Sequence, residues 1–183
     1  MKLTKDIIKS IRKNDYKTIT ALYNDSFSAM MSMVIRYKKN EEDQITIINN
    51  SFMKAIEKID RFDVTKEFIP WICQITKNEL IDSYRKEKNY ESFFDFDSAK
   101  DGQEHETDSV YDIEAENEYL RTILQTLPPA TNLVFNLYAI EGYTTKEICE
   151  ELKIGYETVK WHIKQARKRL KITLIEASTR IKS

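Results

Sequence analysis

The chain is short of the residues that build reaction centres and stapled folds. Its two histidines, His105 and His162, have no sequence-near partner for metal binding or general-base work. Its two cysteines, Cys73 and Cys149, form no CxxC pair. That spacing argues against a zinc site and leaves buried, reduced thiols in a cytoplasmic protein as the reading. Three glycines and three prolines supply neither a phosphate-cradling glycine loop nor the frequent tight turns of a β-rich fold. The opening MKLTKDIIKS breaks every apolar run with a charge, so no signal peptide and no membrane insertion are expected. The acids of the middle of the chain lack calcium-loop spacing. No catalytic set, no metal and no cofactor are therefore expected, and the chain reads as a non-enzyme.

What the sequence has is helical periodicity and segregated charge. The net charge of -1 hides an acidic middle and a basic C-terminal segment. In GYTTKEICEELKIGYETVKWHIKQARKRLK, Gly142 to Lys171, Thr144 is placed to cap a helix and Glu147 to close a capping box with it. Ile148 and Leu152 mark one apolar face. Lys153-Ile154-Gly155 ends that helix, with Gly155 expected to supply the permissive backbone of the turn. The next helix carries Val159, Ile163, Ala166 and Leu170 on one side and Lys160, Lys164, Arg167, Lys168, Arg169 and Lys171 on the others. Two short helices around such a turn, with the cations on the second, describe a helix-turn-helix able to enter a major groove and neutralise phosphates. The competing reading is an amphipathic pair that only packs against the rest of the protein.

The periodicity predicts helices over 3–12 and 16–37, and a third starting at Asn40-Glu41-Glu42-Asp43. The third has Ile45, Ile48, Phe52, Ile56 and Ile59 as its apolar seam. Asp60-Arg61-Phe62-Asp63 breaks the pattern. A fourth helix begins near Lys66, sends Phe68, Trp71, Ile72, Ile75 and Leu80 towards a core, and leaves Lys77, Asn78, Arg85, Lys86 and Lys88 outside. Its aromatics and cations could hold single-stranded DNA, although composition alone favours a solvated basic helix end. Residues 1–88 read as one helical domain and 89–111 as an acidic flexible linker containing Phe93, Phe94 and Phe96. Residues 112–183 read as a second helical domain, in which Pro128-Pro129 stops the helix from Asp112. The fold class is all-α: two small helical domains joined by that linker, the second with the helix-turn-helix.

The segment FMKAIEKIDRFDVTKEFIPWICQITKNELIDSYRKEK resembles the second region of extracytoplasmic-function-type sigma factors of bacterial RNA polymerase. LPPATNLVFNLYAIEGYTTKEICEELKIGYETVKWHIKQARKRL resembles their fourth region. The resemblance implies a transcription initiation factor whose partners are the RNA polymerase core and promoter DNA; the family also admits an anti-sigma factor. By position it implies that Arg61, Phe62 and Asp63 lie in the loop that captures an extruded base, with Asn78 helping to form the pocket. Arg85 and Lys86 fall where duplex and melted strand are held. Lys160, Trp161, Lys164 and Gln165 match positions facing the major groove, and Thr158, Arg167 and Lys168 match phosphate contacts. The polymerase clamp would meet the helix matching 41–58, through Ile45, Ile48, Asn49 and Phe52. That helix departs from the family where acids are usual, with Thr46 and Asn49-Asn50 instead. A stand-alone helix-turn-helix repressor or activator is the alternative; a helical nucleic-acid hydrolase, which would need a metal site, is the third.

Overall fold

The computed structural model describes residues 1–86 and 122–180, with side chains through residue 172. The described residues form α1 (Lys5–Arg12), α2 (Tyr16–Val34), α3 (Glu41–Glu57), a 3-10 turn (Ile59–Arg61), α4 (Phe68–Arg85), α5 (Pro129–Ala139), α6 (Thr145–Leu152) and α7 (Tyr156–Arg180). No strand occurs among them. The expected linker 89–111 and the start of the helix from Asp112 lie outside the described residues. By contacts the chain divides into two compact units, Met1–Glu87 and Lys88–Ser183.

Local chemistry starts the helices of the first unit. Thr4 accepts from the Ile7 N–H at 3.3 Å and Asp15 from the Thr18 N–H at 3.3 Å. Asn40 accepts from the Glu42 and Asp43 N–H groups at 2.7 and 3.4 Å, each cap satisfying donors that a helix start leaves open. The acids of the first turn of α3 also suit the positive end of its dipole. Helices α2, α3 and α4 pack on one another and bury Met30, Val34, Ile48, Phe52, Ile72 and Leu80. Fully burying side chains of this kind stabilises a fold by roughly 1.5–3 kcal/mol each before conformational entropy is counted.

Polar contacts fix how these helices meet. The Tyr84 hydroxyl donates to the Tyr37 carbonyl at 2.8 Å, which takes that ring inside. Glu79 of α4, 6% exposed, pairs with Lys54 of α3 and accepts from the Asn50 amide at 3.3 Å. Because the Lys54 side chain is 36% exposed, solvent screens the pair, and its main effect is to set the register of α3 against α4. Lys77, expected outside, is instead buried, at 9% exposure. It belongs to a buried run of α4 that also includes Thr76, Glu79, Leu80 and Ile81.

In the second unit Pro129 opens α5 at a first-turn position, where a missing N–H costs nothing. Helix α5 buries Leu133, Val134 and Leu137. Asn132 donates to the Leu124 carbonyl at 2.7 Å, tying the preceding segment to α5. Leu124, Leu127 and Ala166 then form a core cluster flanked by Phe135 and Leu170. Gly142, with φ of 74°, turns the chain out of α5, a left-handed conformation that glycine adopts without a Cβ clash.

Candidate nucleic-acid interface

Helix α6 is positioned by its own first turn. Thr144 accepts from the Glu147 N–H at 3.3 Å, and Glu147 accepts from the Thr144 N–H at 2.8 Å, completing the capping box. The Thr144 N–H, then its hydroxyl, hold the Glu147 carboxyl below its ordinary value. Thr144→Ala is expected to destabilise the second unit by about 1 kcal/mol. Urea unfolding followed at Trp161, the tryptophan of this unit, checks it in a Trp71→Phe background.

The turn between α6 and α7 differs from the sequence expectation. Lys153, not Gly155, takes the left-handed conformation, with φ of 55°, and its N–H bonds back to the Cys149 carbonyl. Gly155 has no positive φ, and its carbonyl accepts from the Val159 N–H at 3.1 Å in the first turn of α7. A Cβ at Gly155 would meet only Thr158 Oγ1, at an ordinary 3.6 Å. The turn is therefore closed by helix-end hydrogen bonding at Lys153.

Helix α7 is anchored by Val159, His162, Ile163 and Ala166, all buried. His162 lies 2% exposed, with Nδ1 3.0 Å from Thr131 Oγ1 of α5. Burial pulls its pKa down to about 4, so the ring is neutral at physiological pH. Lys160, Arg167 and Lys168 are exposed; Thr158, Trp161, Lys164 and Gln165 are half-buried. The Trp161 ring meets His162 edge-on, with centroids 4.8 Å apart. The buried face thus points one way, and a mixed polar, cationic and aromatic surface lies partly or fully exposed on the others.

The first unit gathers a different set. Phe62, Phe68 and Trp71 form a triangle of rings with centroids 5.2–5.7 Å apart. Phe62, expected in the loop that captures an extruded base, is only 6% exposed, and its ring packs on Phe68 and Trp71 at the inner side of that loop. Arg61 and Asp63 on either side are exposed. Asp63 accepts from the Thr65 N–H at 3.0 Å and its hydroxyl at 2.8 Å, chiefly the first of which holds the carboxyl below its ordinary value. Asn78, exposed on α4, accepts from the Gln74 amide at 3.0 Å. Lys86 is exposed at the end of that helix, and Arg85, half-buried, lies 3.5 Å from Asp82.

The polymerase-facing expectation also narrows. Ile48 and Phe52 are 0% and 5% exposed and pack inside the unit, because apolar residues on the inner seam of α3 gain most by leaving water. Asn49 is exposed, accepting from the Tyr23 hydroxyl at 2.8 Å, and Ile45 is half-buried. Asn50 is exposed but directed to Glu79.

Among the described residues no group of His, Cys, Asp and Glu is placed to hold a metal ion, and no helix is long and apolar enough to cross a membrane. The family model for sigma-70 region 2 matches residues 22–90, and that for sigma-70 region 4 matches residues 117–170. Over 184 aligned residues the chain is 29% identical to the ECF RNA polymerase sigma factor SigW of Bacillus subtilis (strain 168), covering 92% of this chain and 95% of that one. It is 26% identical to RNA polymerase sigma factor SigZ of the same organism, covering 80% and 82%. Its identity to the ECF RNA polymerase sigma factor SigM, again from that organism, is 27%, covering 84% and 93%.

Proposed function

Because the chain belongs to the sigma-70 family, with both region 2 and region 4 in order, we propose that its two units grip separate parts of one promoter while RNA polymerase core carries them. The chain is a transcription initiation factor. A stand-alone repressor or activator would leave the region 2 match without a role. Under this reading the factor acts in the cytoplasm and the polymerase performs all the chemistry.

The second unit reads duplex DNA. Lys160, Trp161, Lys164 and Gln165 face the major groove, while Thr158, Arg167 and Lys168 meet phosphates. The first unit holds the melted element: Arg61 and Asp63 border the base-capturing loop, Asn78 contributes to the pocket, and Arg85 and Lys86 hold backbone. Extruding a base costs a few kcal/mol of stacking, which pocket and backbone contacts offset. The polymerase clamp meets α3 through Ile45 and Asn49. Residues 1–88 and 112–183 are the two DNA-holding domains. The acids of 89–111 between them suit a path through a basic interior, and an anti-sigma factor would compete for the same surfaces.

The observation that carries this reading is the exposed cationic flank of α7, set behind a capped and closed turn. Run-off transcription with purified core polymerase tests it. The added protein should impose start sites that core alone does not choose. Lys160→Ala and Lys164→Ala should each weaken binding of the upstream duplex element by about 1–2 kcal/mol. Any part of the loss that comes from phosphate contacts shrinks as salt rises. Unchanged start-site selection would rule the reading out.

A further inference from the structure

One flank of α7 carries more than charge. Tyr156 stands in its first turn, 50% exposed, a large ring left in water by the fold. The Lys160 ammonium, one turn on, lies 5.4 Å from the centre of that ring. Further along the same flank, the Arg167 guanidinium lies 5.9 Å from the ring centre of Tyr138, which comes from α5. Residues four apart on a helix share a face, so Tyr156, Lys160 and Lys164 form one line, with Arg167 beside it. Both separations fall within the range in which the negative face of a ring attracts a cation.

We infer that Tyr156 and Tyr138 are positioning residues for duplex binding, each holding one α7 cation in an orientation close to the one it needs on DNA. The inference rests on the reading of α7 as the duplex-facing helix. Its physical basis is side-chain entropy. A lysine or arginine free in water samples many rotamers, and fixing it on a phosphate or a base edge removes that freedom. A ring that already restricts the cation transfers part of that cost to the free protein. The contact uses the π face, so the hydroxyl is not needed. The ring must not compete with the DNA, and the exposed geometry meets this: a weak, solvent-accessible contact yields readily to a phosphate.

The test uses full-length protein bound to core polymerase and a duplex that the wild-type holoenzyme selects from a randomised pool, with affinity read by fluorescence anisotropy. Tyr156→Leu keeps a good helix former and an apolar side chain but removes the ring, and should weaken binding about three- to five-fold. Tyr156→Phe should bind as wild type. In a Lys160→Ala background, Tyr156→Leu should cost nothing further, because its action runs through that ammonium. The pair Tyr138→Leu and Arg167→Ala should show the same non-additivity, which keeps the inference open to test if one tyrosine variant folds poorly. A Tyr156→Phe loss equal to that of Tyr156→Leu, or additive losses in both cycles, would overturn the inference and leave α7 as the duplex-facing helix. A wild-type holoenzyme that selects no duplex would overturn the reading of α7 and the inference with it.

Discussion

Phe68→Ala should destabilise the first unit by about 3–5 kcal/mol and leave the second unit as stable as before. Phe68 is fully buried, and its ring joins Phe62 and Trp71 where the Ile59–Arg61 turn runs into α4. Truncation removes the transfer free energy of a phenyl ring and opens a cavity that α4 cannot close without moving its first turn. The aromatic contacts themselves contribute a further part of that figure. One tryptophan lies in each unit, Trp71 in the first and Trp161 in the second, and there are no others. Urea unfolding followed in a Trp161→Phe background therefore reports the first unit alone, and in a Trp71→Phe background the second. A shift confined to the Trp71 signal is the expected result. Equal shifts in both signals would contradict the separate cores. In transcription the same variant should lose promoter opening before upstream duplex binding, since Arg61 and Asp63 flank the supporting Phe62 ring.

The features legible in the sequence are those set by neighbours along the chain. Thr144 and Glu147 are three residues apart, and a capping box needs nothing else. The cap at Asn40 and the prolines at the start of α5 are local in the same way. The apolar seams follow from the 3.6-residue period, which marks the inner face of α3 and of α7 without reference to what they meet. What the sequence misplaces depends on distant contacts. The period puts Ile48 and Phe52 on the inner seam of α3, where they lie; it is the family resemblance that ties them, and Phe62, to partners, and position along a motif does not say which way a side chain points. Lys77 reads as a surface cation until α4 turns it inward. The turn after α6 contains a glycine, so glycine is the natural choice for positive φ; the hydrogen bond to Cys149 places that conformation at Lys153 instead. The rings beside Lys160 and Arg167 escape for two different reasons. Tyr156 is four residues from its cation on one helix face, a local pair whose closeness depends on rotamers that the period does not specify, whereas Tyr138 reaches Arg167 only because α5 packs against α7.

His162 is the other residue whose role comes from a distant partner, and it makes the stability of the second unit depend on acid. In the unfolded chain the ring has its ordinary pKa of 6.5; in the fold, burial lowers it to about 4. Between those values the unfolded chain binds more protons, so stability rises with pH through this window. The sign is that of a group with a depressed folded-state pKa: the full contribution is present above about 6.5 and is lost as pH falls towards 4. At 1.36 kcal/mol for each unit of pKa difference the loss reaches about 3 kcal/mol, most of it by pH ~4.5. The structural cause is plain. A protonated ring carries a proton on both nitrogens, turns the Thr131 hydroxyl into an acceptor and places a charge among Val159, Ile163 and Ala166. Glu147, whose pKa is also lowered, loses its contribution only below the ordinary 4.5 of a glutamate, so the two effects occupy different windows. Urea midpoints of the second unit, read at Trp161 in a Trp71→Phe background, should fall steadily between pH ~6.5 and ~4.5 in the presence of His162. With His162→Gln they should stay nearly flat over that interval and fall only below it, because glutamine can keep a hydrogen bond to Thr131 but has no proton to gain. A His162→Gln protein that retains the full slope would place the acid sensitivity elsewhere. A flat profile in the presence of His162 would mean that the ring is not held neutral by burial.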